Sequence, residues 1–398
     1  MLRSSWQTLN SNIRLSMNIY YAPLEGITTY LYRQLHNKYF GGVDKYFTPF
    51  ISVFPDHYIK KRDEREIDPA NNEGMKVVPQ VLANSSKELV WIFKKLISMG
   101  YDEVNLNLGC PSGTVTAKGR GSGFLKEPDK LEIFFDEVFD ALSDDAKMLS
   151  VKTRIGYLDA SEMEHLSEIY ARYPIKELTI HPRIRKQFYK GVPDMEVFEK
   201  ALMMSSCPVC YNGNVFTLDD YNKINDRYGY QEGSDLHDVS GGLKEGSGLH
   251  DIGGMTKDTL DIHDINGDLS KDITLHYHMN TAGSADNKIS SVMLGRGIVA
   301  DPSLARQIKG GSHMDKAEFK EFRRALEAMY KENLKDGNNV FNKMKEMWFY
   351  MSQSFEGSEG YIKNILKSKS YAEYLAAANT LEGNCDIKSG PNASPVSF

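Results

Sequence analysis

Cys110 stands between a glycine and a proline, directly after the short apolar run Val104–Leu108. A cysteine in this position lies on a loop at the end of a strand, where it can act on a molecule bound at that edge. A thiol in such a place can donate a proton while a carbon–carbon double bond is reduced. The alternative is that Cys110 is a small buried hydrophobic side chain. We treat Cys110 as the candidate catalytic residue.

Other polar residues belong to short apolar runs or follow them. Gln80 and Lys152 lie within two of these runs and are expected to meet the polar edge of a bound ring, where a cation stabilises a reduced, anionic flavin. Each also has a purely structural explanation, as a buried amide or as a member of a buried ion pair. Six such groups at one rim are difficult to explain by packing alone. Arg154 belongs to the same group as Lys152, and the other four groups are Asn105–Pro111, His181, Asn212–Asn214 and Gly295–Gly297.

Glycines gather after the last two runs, at Asn212–Asn214 and Gly295–Gly297, and Arg296 is among them. Glycines, backbone N–H groups and an arginine suit a dianionic phosphate. The segment Gly119–Gly123 is also glycine-rich, but it lacks the preceding strand and the spacing of a dinucleotide fingerprint. We interpret it as a mobile basic loop beside Cys110, with Lys118 and Arg120 facing an anionic substrate.

The elements that must position these residues alternate along the chain. Eight short apolar runs are separated by amphipathic stretches, which predicts buried parallel strands connected by helices. We therefore predict a closed (β/α)₈ TIM barrel, with an open doubly wound sheet as the alternative. The predicted strands are Ile19–Ala22, Lys45–Phe47, Val77–Leu82, Val104–Leu108, Leu149–Thr153, Leu178–Ile180, Pro208–Tyr211 and Ser291–Leu294.

The pattern becomes purely helical after Ile308. Helices are predicted over 315–335 and 339–355, with a turn at 336–339, and another over Tyr371–Ala378. A stripe in the second helix is interpreted as core; it consists of Met344, Met347, Trp348, Met351 and Phe355. The basic residues that could form a nucleic-acid surface are Arg323, Arg324, Lys343, Lys345, Lys363, Lys367 and Lys369.

Residues 228–287 interrupt the alternation with a 13-residue repeat that places histidines at 237, 250, 263 and 276. Thirteen steps reverse the face of a strand and rotate a helix by about 220°, so these histidines do not line up as metal ligands. We interpret the segment as a polar, acidic insertion and predict no metal site. It carries a net charge of −8, which leaves +2 for the rest of the chain, so the overall −6 does not exclude a nucleic-acid partner.

The predicted organisation has four parts: an N-terminal extension over 1–17, the barrel over 18–310 with its insertion between strands seven and eight, a helical domain over 311–383, and a flexible tail over 384–398. Four cysteines in 398 residues are not a disulfide framework, and a cytoplasmic location is expected. Cys207 and Cys210 have redox-motif spacing but are interpreted as strand residues. No apolar run reaches about 18 residues, and no secretory signal is expected.

Four motifs together resemble the tRNA-dihydrouridine synthases, over roughly residues 18–225 and 289–380. These motifs are Ala22–Thr28, Asn105–Pro111, Lys118–Leu125 and His181–Gly191. The resemblance implies an FMN-binding barrel and a helical tRNA-binding domain, which together reduce the C5=C6 bond of selected uridines with NADPH as the electron source. A monomer with no membrane partner is expected.

The resemblance also implies roles for individual residues. Hydride would come from reduced FMN and the proton from Cys110. Asn107 and His181 would lie against the flavin and the base. Arg183, Arg185 and Lys186 would join Lys118 and Arg120 in contacting RNA. FMN would further be held by Pro23, Leu24, Glu25, Gln80, Lys152, Asn212, Gly213, Asn214, Gly295 and Arg296.

Two alternative functions remain open from the sequence. One is another FMN barrel oxidoreductase, similar to dihydroorotate dehydrogenase, for which a helical domain would be unnecessary. The other is a catalytically silent tRNA-binding protein whose flavin site the insertion has disrupted. The extension before Met17 and the insertion both depart from the family pattern.

Overall fold

The computed structural model describes residues 17–54, 57–229, 288–334 and 337–388. The predicted N-terminal extension before Met17, nearly all of the repeat insertion and the chain after 388 lie outside these described residues. Within them, no helix is long and apolar enough to cross a membrane.

Ten short parallel strands form one curved sheet. In chain order they are β1 Asn18–Tyr21, β2 Lys45–Phe47, β3 Ile51–Ser52, β4 Val77–Val78, β5 Gln80–Leu82, β6 Val104–Leu108, β7 Leu149–Arg154, β8 Leu178–His181, β9 Val209–Tyr211 and β10 Ser291–Leu294. Their spatial order is β3-β5-β6-β7-β8-β9-β10-β1-β2-β4. The eight predicted runs all lie on strands of this sheet.

The third predicted strand, Val77–Leu82, is two strands because Pro79 interrupts it. Proline has no N–H to donate, so the ladder cannot continue through it. β4 pairs with β2, whereas β5 pairs with β6. Pro79 thus joins β4, at one end of the spatial order, to β5, which is next to the other end, and the sheet closes into the predicted barrel rather than an open sheet. Ile51–Ser52, an additional short strand on β5, was not predicted.

Residues suited to helix N-termini begin several of the helices between the strands. Pro128 occupies the first turn of Pro128–Leu142, and the helix buries one apolar stripe, which consists of Leu131, Phe134, Phe135, Val138 and Leu142. Thr217 caps Leu218–Tyr228 by accepting from the N–H of Asp220. The helices up to the insertion are α1 Tyr30–Tyr39, α2 Lys61–Ile67, α3 Ser86–Ser98, α4 Gly113–Thr116, α5 Pro128–Leu142, α6 Glu162–Ala171, α7 Met195–Met204 and α8 Leu218–Tyr228.

The C-terminal part is all helical in its described residues, as predicted. Its second long helix begins at Gly337, within the predicted turn, and Glu359–Lys367 was not predicted. The last helix continues to Asn384, and Ile387 forms an antiparallel bridge with Phe355, so the chain is still structured at the start of the predicted tail. The helices are α9 Arg296–Ala300, α10 Leu304–Ile308, α11 Lys316–Asn333, α12 Gly337–Met351, α13 Glu359–Lys367 and α14 Tyr371–Asn384.

The helical part and the barrel share one hydrophobic core. The methionine stripe of α12 is fully buried, which confirms its interpretation as core. Phe322 of α11 packs edge-on against Phe40, with ring centroids 4.9 Å apart, and Ser354 donates to the carbonyl of Ala300. These contacts hold the helical part against the barrel, and Lys343 of α12 donates to the carbonyl of Gly26, which follows the carboxyl end of β1.

Candidate functional site

A cavity of about 270 Å³ opens at the carboxyl ends of the strands. A water molecule occupies about 30 Å³, so this space fits a ring system rather than an ion. Cys110 and all twelve predicted cofactor-binding residues line it: Pro23, Leu24, Glu25, Gln80, Asn107, Lys152, His181, Asn212, Gly213, Asn214, Gly295 and Arg296. Strand register explains why, because it places Asn107 beside Lys152 and Arg154 beside His181 on neighbouring strands.

A chain of buried amides holds the loop that carries Cys110. Asn107 donates from Nδ2 to Gln80 Oε1 at 2.7 Å, and Gln80 donates from Nε2 to Asn105 Oδ1 at 2.8 Å. The freed oxygen of Asn107 accepts from the N–H groups of Gly109 (3.0 Å) and Cys110 (2.9 Å). Because each amide fixes the orientation of the next, Asn107 sets the turn after β6.

The second support of Cys110 is the glycine-rich segment that follows it. Ser122 donates to the Cys110 carbonyl from both its N–H (3.1 Å) and its hydroxyl (2.8 Å). Gly121 has a φ of +57°, and a Cβ built there would lie 2.9 Å from the Cys110 carbonyl oxygen. Burial raises the pKa of the Cys110 thiol, so it carries its proton at neutral pH. The site thus holds a protonated thiol in a fixed place.

Lys152 is the cation of the cavity interior. Its ammonium makes no hydrogen bond or ion pair with any residue that the structure describes, although it lines the cavity. Burial, reinforced by the charge of Arg154, lowers its pKa to about 7. An anionic ring edge bound beside Lys152 would return the ammonium to its charged form, because an opposite charge offsets desolvation.

His181 is held as a neutral imidazole. Burial and the nearby cations, chiefly Arg154 and Lys152, keep its pKa well below the usual range. Arg183 can only donate, and its Nη1 lies 3.2 Å from His181 Nε2. Nε2 is therefore the acceptor, and the proton of the imidazole resides on Nδ1. His181 offers a hydrogen bond but is a poor general acid at neutral pH.

Arg154 joins the Cys110 loop to the loop after β8. Its side chain is buried and donates to three backbone carbonyls: Gly109 at 2.8 Å, Phe188 at 2.9 Å and Ile184 at 3.2 Å. The sequence pattern places this arginine at a strand end but indicates no role for it. Its role is positional, because it ties two loops that are far apart in the sequence.

The loops after β9 and β10 approach each other closely at one end of the cavity. A Cβ on Gly297 would lie 2.1 Å from the Val215 carbonyl oxygen, so only glycine fits there. The guanidinium of Arg296 lies over two rings, 4.6 Å from the centroid of Tyr189 and 5.2 Å from that of Phe216. This end combines a half-buried cation with close-packed glycine loops, which is the chemistry that a phosphate requires.

The five residues predicted to contact RNA differ in their exposure and in their hydrogen-bond partners. Arg183 lines the cavity but is buried, and its Nη2 donates to the carbonyl of Gly191 at 2.7 Å. Arg120 pairs with Glu88 at 2.8 Å and begins a 3₁₀ helix, Gly121–Lys126, where a mobile loop was predicted. Arg185 donates to the Pro111 carbonyl, whereas Lys118 and Lys186 are exposed. The RNA-contact roles of all five stay predictions.

The helical part contributes to the cavity one residue that sequence reasoning missed. Tyr350 of α12 lines it, together with Tyr189 and Phe216 from the strand loops. Tyr189 lies in a motif quoted above, but nothing in the pattern around Tyr350 distinguishes it from a surface aromatic. Its position depends entirely on how α12 packs against the barrel.

Three of the seven basic residues that could form a nucleic-acid surface have structural partners instead. Arg323 is buried against Glu382, and Lys343 donates to the Gly26 carbonyl. Lys345 donates to the Ser368 carbonyl at 2.9 Å. The exposed remainder is Arg324, Lys363, Lys367 and Lys369. Cys207 and Cys210 are free thiols, and no group that could bind a metal occurs in the described part of the chain.

Comparisons with known proteins agree on one family. The family model of dihydrouridine synthases matches residues 20–233. A probable tRNA-dihydrouridine synthase 1 of Synechocystis is 26% identical over 52% of this chain and 57% of its own length. A tRNA-dihydrouridine(16) synthase of Neisseria meningitidis is 24% identical over 92% of this chain and 95% of its own. The enzyme of the same name from Pseudomonas syringae is 26% identical over 54% and 69%, respectively.

Proposed function

This chain belongs to the dihydrouridine synthase family, and on that premise we propose that it reduces the C5=C6 bond of uridines in tRNA within the barrel cavity. The observation that carries the proposal is the position of Cys110, whose backbone two independent sets of hydrogen bonds hold at the edge of a ring-sized cavity. Reduction of a double bond needs a proton at one carbon and a hydride at the other, and Cys110 Sγ is the proton source.

The cavity residues fit FMN on the chemistry of their donors. Lys152 is a cation without a described partner, next to Asn107, which donates to Gln80, and this polar group suits the edge of a flavin ring. Arg296 and the adjoining glycine loops suit its phosphate. Bound FMN supplies the hydride that this chain's own side chains cannot provide, and we propose NADPH as the donor that reduces it.

The remaining residues orient the uracil and the acid. Asn107 keeps the Cys110 N–H group and thiol in place, and neutral His181 provides a hydrogen bond without adding charge. Cys110 Sγ gives its proton to C5, and solvent at the cavity mouth restores it. The uridine must leave the base stack to reach the cavity, as enzymes that act on bases generally require.

The helical part is proposed to bind tRNA through phosphates, with its exposed lysines as the contacts. Residues 312–371 carry a net charge of only +2, so the basic groups act by clustering rather than by their total number. Lys363 and Lys367 lie four residues apart on one face of α13. We place the reaction in the cytoplasm, where the four free cysteines would remain reduced.

Two measurements test the function. Purified protein should be yellow with a flavin spectrum, and tRNA from a strain lacking it should lose dihydrouridine at defined positions, which nucleoside analysis by mass spectrometry detects. A colourless protein that still binds tRNA would favour the silent binding protein. A yellow protein that leaves tRNA unchanged but reduces a free pyrimidine would favour the oxidoreductase similar to dihydroorotate dehydrogenase.

A further inference from the structure

A row of alternating cations and aromatic rings lies on the barrel rim outside the cavity. The ammonium of Lys126 is 4.4 Å from the ring centroid of Tyr157. The guanidinium of Arg185 is 5.4 Å from that ring and 5.4 Å from the ring of Phe188. We call these four residues the rim row. Nothing in the proposed reduction uses it, although the row ends one residue from Tyr189, which lines the cavity.

Phe188 has an unusual backbone conformation for an exposed aromatic residue. Its φ is +52°, one of three positive values among the described non-glycine residues. A bulky side chain in this region strains the backbone, and such strain concentrates at functional sites. Burial does not offset the strain, because 42% of the Phe188 surface is exposed. Folding alone therefore does not explain a phenylalanine here.

The backbone under Phe188 is held from inside the barrel. Arg154 donates to the Phe188 carbonyl at 2.9 Å, and Arg183 donates to the carbonyls of Lys190 (3.2 Å) and Gly191 (2.7 Å). Two buried arginines thus fix the loop from within and leave its outer side chains exposed. The Phe188 ring is presented to solvent on a rigid support, which limits the entropy lost when a partner stacks on it.

The charges around Phe188 favour an anionic partner. Lys186 and Lys190 are exposed on the same loop, and Arg185 and Lys126 belong to the rim row. Two carboxylates lie nearby: Glu162 accepts from the Tyr157 N–H at 2.7 Å, and hydrogen bonds from Ser161, together with the charge of Lys186, lower the pKa of Asp159. Aromatic rings interleaved with cations are the pattern with which proteins bind unpaired nucleotides, since the rings stack on bases and the cations meet phosphates.

We propose that Phe188 is a stacking platform for the base of a nucleotide that neighbours the uridine in the cavity. The inference rests on the proposed function, because it takes tRNA as the partner. Tyr189 and Phe188 are consecutive, so one loop meets both the cavity and the adjoining nucleotide. A uridine that leaves its stack exposes the face of its neighbour, and Phe188 would cover that face.

Substitutions at Phe188 test the platform. Removal of one base–aromatic stack weakens binding by about 5- to 150-fold, so F188A should raise the Kd for tRNA by that factor. F188Y keeps a ring and should retain near wild-type affinity. F188G removes both the ring and the strain, so it should bind as poorly as F188A yet unfold at no lower temperature than wild type. V192A, which alters a side chain 79% exposed on the same loop, is the matched control.

A spectroscopic test reads stacking directly. The emission of F188W, after subtraction of the wild-type spectrum, should be quenched by tRNA, whereas that of V192W should change little. Unchanged tRNA affinity in both F188A and F188G would overturn the inference while leaving uridine reduction intact. Quenching of F188W in a protein that forms no dihydrouridine would instead reject the proposed function and retain the platform.

Discussion

Gly121→Ala tests whether the glycine-rich segment positions the acid. Alanine at a φ of +57° strains the backbone by about 1–2 kcal/mol. Its Cβ would also lie 2.9 Å from the Cys110 carbonyl oxygen and 3.0 Å from Cys110 Cβ, whereas ordinary contact begins at 3.4 Å. The carbonyl belongs to the backbone and cannot rotate away, so the Cys110 turn must move by roughly half an ångström. A 1 Å misplacement costs about 10²-fold in rate, which predicts a loss of about tenfold.

Gly119→Ala is the matched control. Its φ is +65°, so it introduces a similar strain, but its Cβ would meet only Asn84 Nδ2 at 3.4 Å. Gly121→Ala should lose at least as much stability in urea unfolding as Gly119→Ala, and both variants should keep flavin. Only Gly121→Ala should slow single-turnover reduction of uridine in tRNA and alter the rate at which iodoacetamide alkylates Cys110. Equal single-turnover rates in the two variants would refute the positioning argument.

Three further predictions concern the acid, the cation and the RNA contacts. Cys110→Ala should keep FMN but lose about 10²- to 10⁴-fold in single-turnover reduction, and an unchanged rate would remove its acid role. The affinity for FMN, measured by flavin fluorescence, should be highest below pH 7 and should fall by at most tenfold per pH unit above pH 7. The reason is that the pKa of Lys152 is about 7 without a bound anion and rises when an anion is bound beside it. Lys152→Met should abolish that component of the pH dependence; if the dependence is the same in the variant, another group carries it. Charge reversal of three exposed lysines to glutamate, at Lys363, Lys367 and Lys369, should weaken tRNA binding and flatten its salt dependence. If the affinity and the salt dependence are both unchanged, the RNA binds to the barrel alone.

The barrel and its rim could be predicted from sequence because the relevant signals are local. A short apolar run between amphipathic stretches predicts a buried parallel strand, and all such strands in a barrel end on the same side. Polar residues near the end of each run, or shortly after it, are therefore expected at the rim wherever the run lies in the chain. Periodicity thus predicts one shared rim for residues distant in sequence, and Gln80, Cys110, Lys152, His181 and Arg296 all line one cavity there.

At Pro79, the local apolar pattern was not sufficient to predict the strands. The run Val77–Leu82 is apolar throughout and predicts one strand. The missing N–H of proline divides it, and the two halves pair with different neighbours. The prediction of a mobile loop at Gly119–Gly123 was wrong for a related reason. Its composition is typical of a mobile loop, but the Glu88 carboxylate and the Cys110 carbonyl hold it from positions that the sequence does not bring near.

The sequence alone determined which residue types meet at the rim, and tertiary structure decided what each of them does there. The pKa of Lys152 and the tautomer of His181 depend on burial and on cations from other strands. Tyr350 reaches the cavity only because α12 packs on the barrel. Phe188 faces solvent because a buried arginine holds its carbonyl from below. Side-chain periodicity places a residue on a face, whereas charge state and exposure depend on neighbours that only the folded chain supplies.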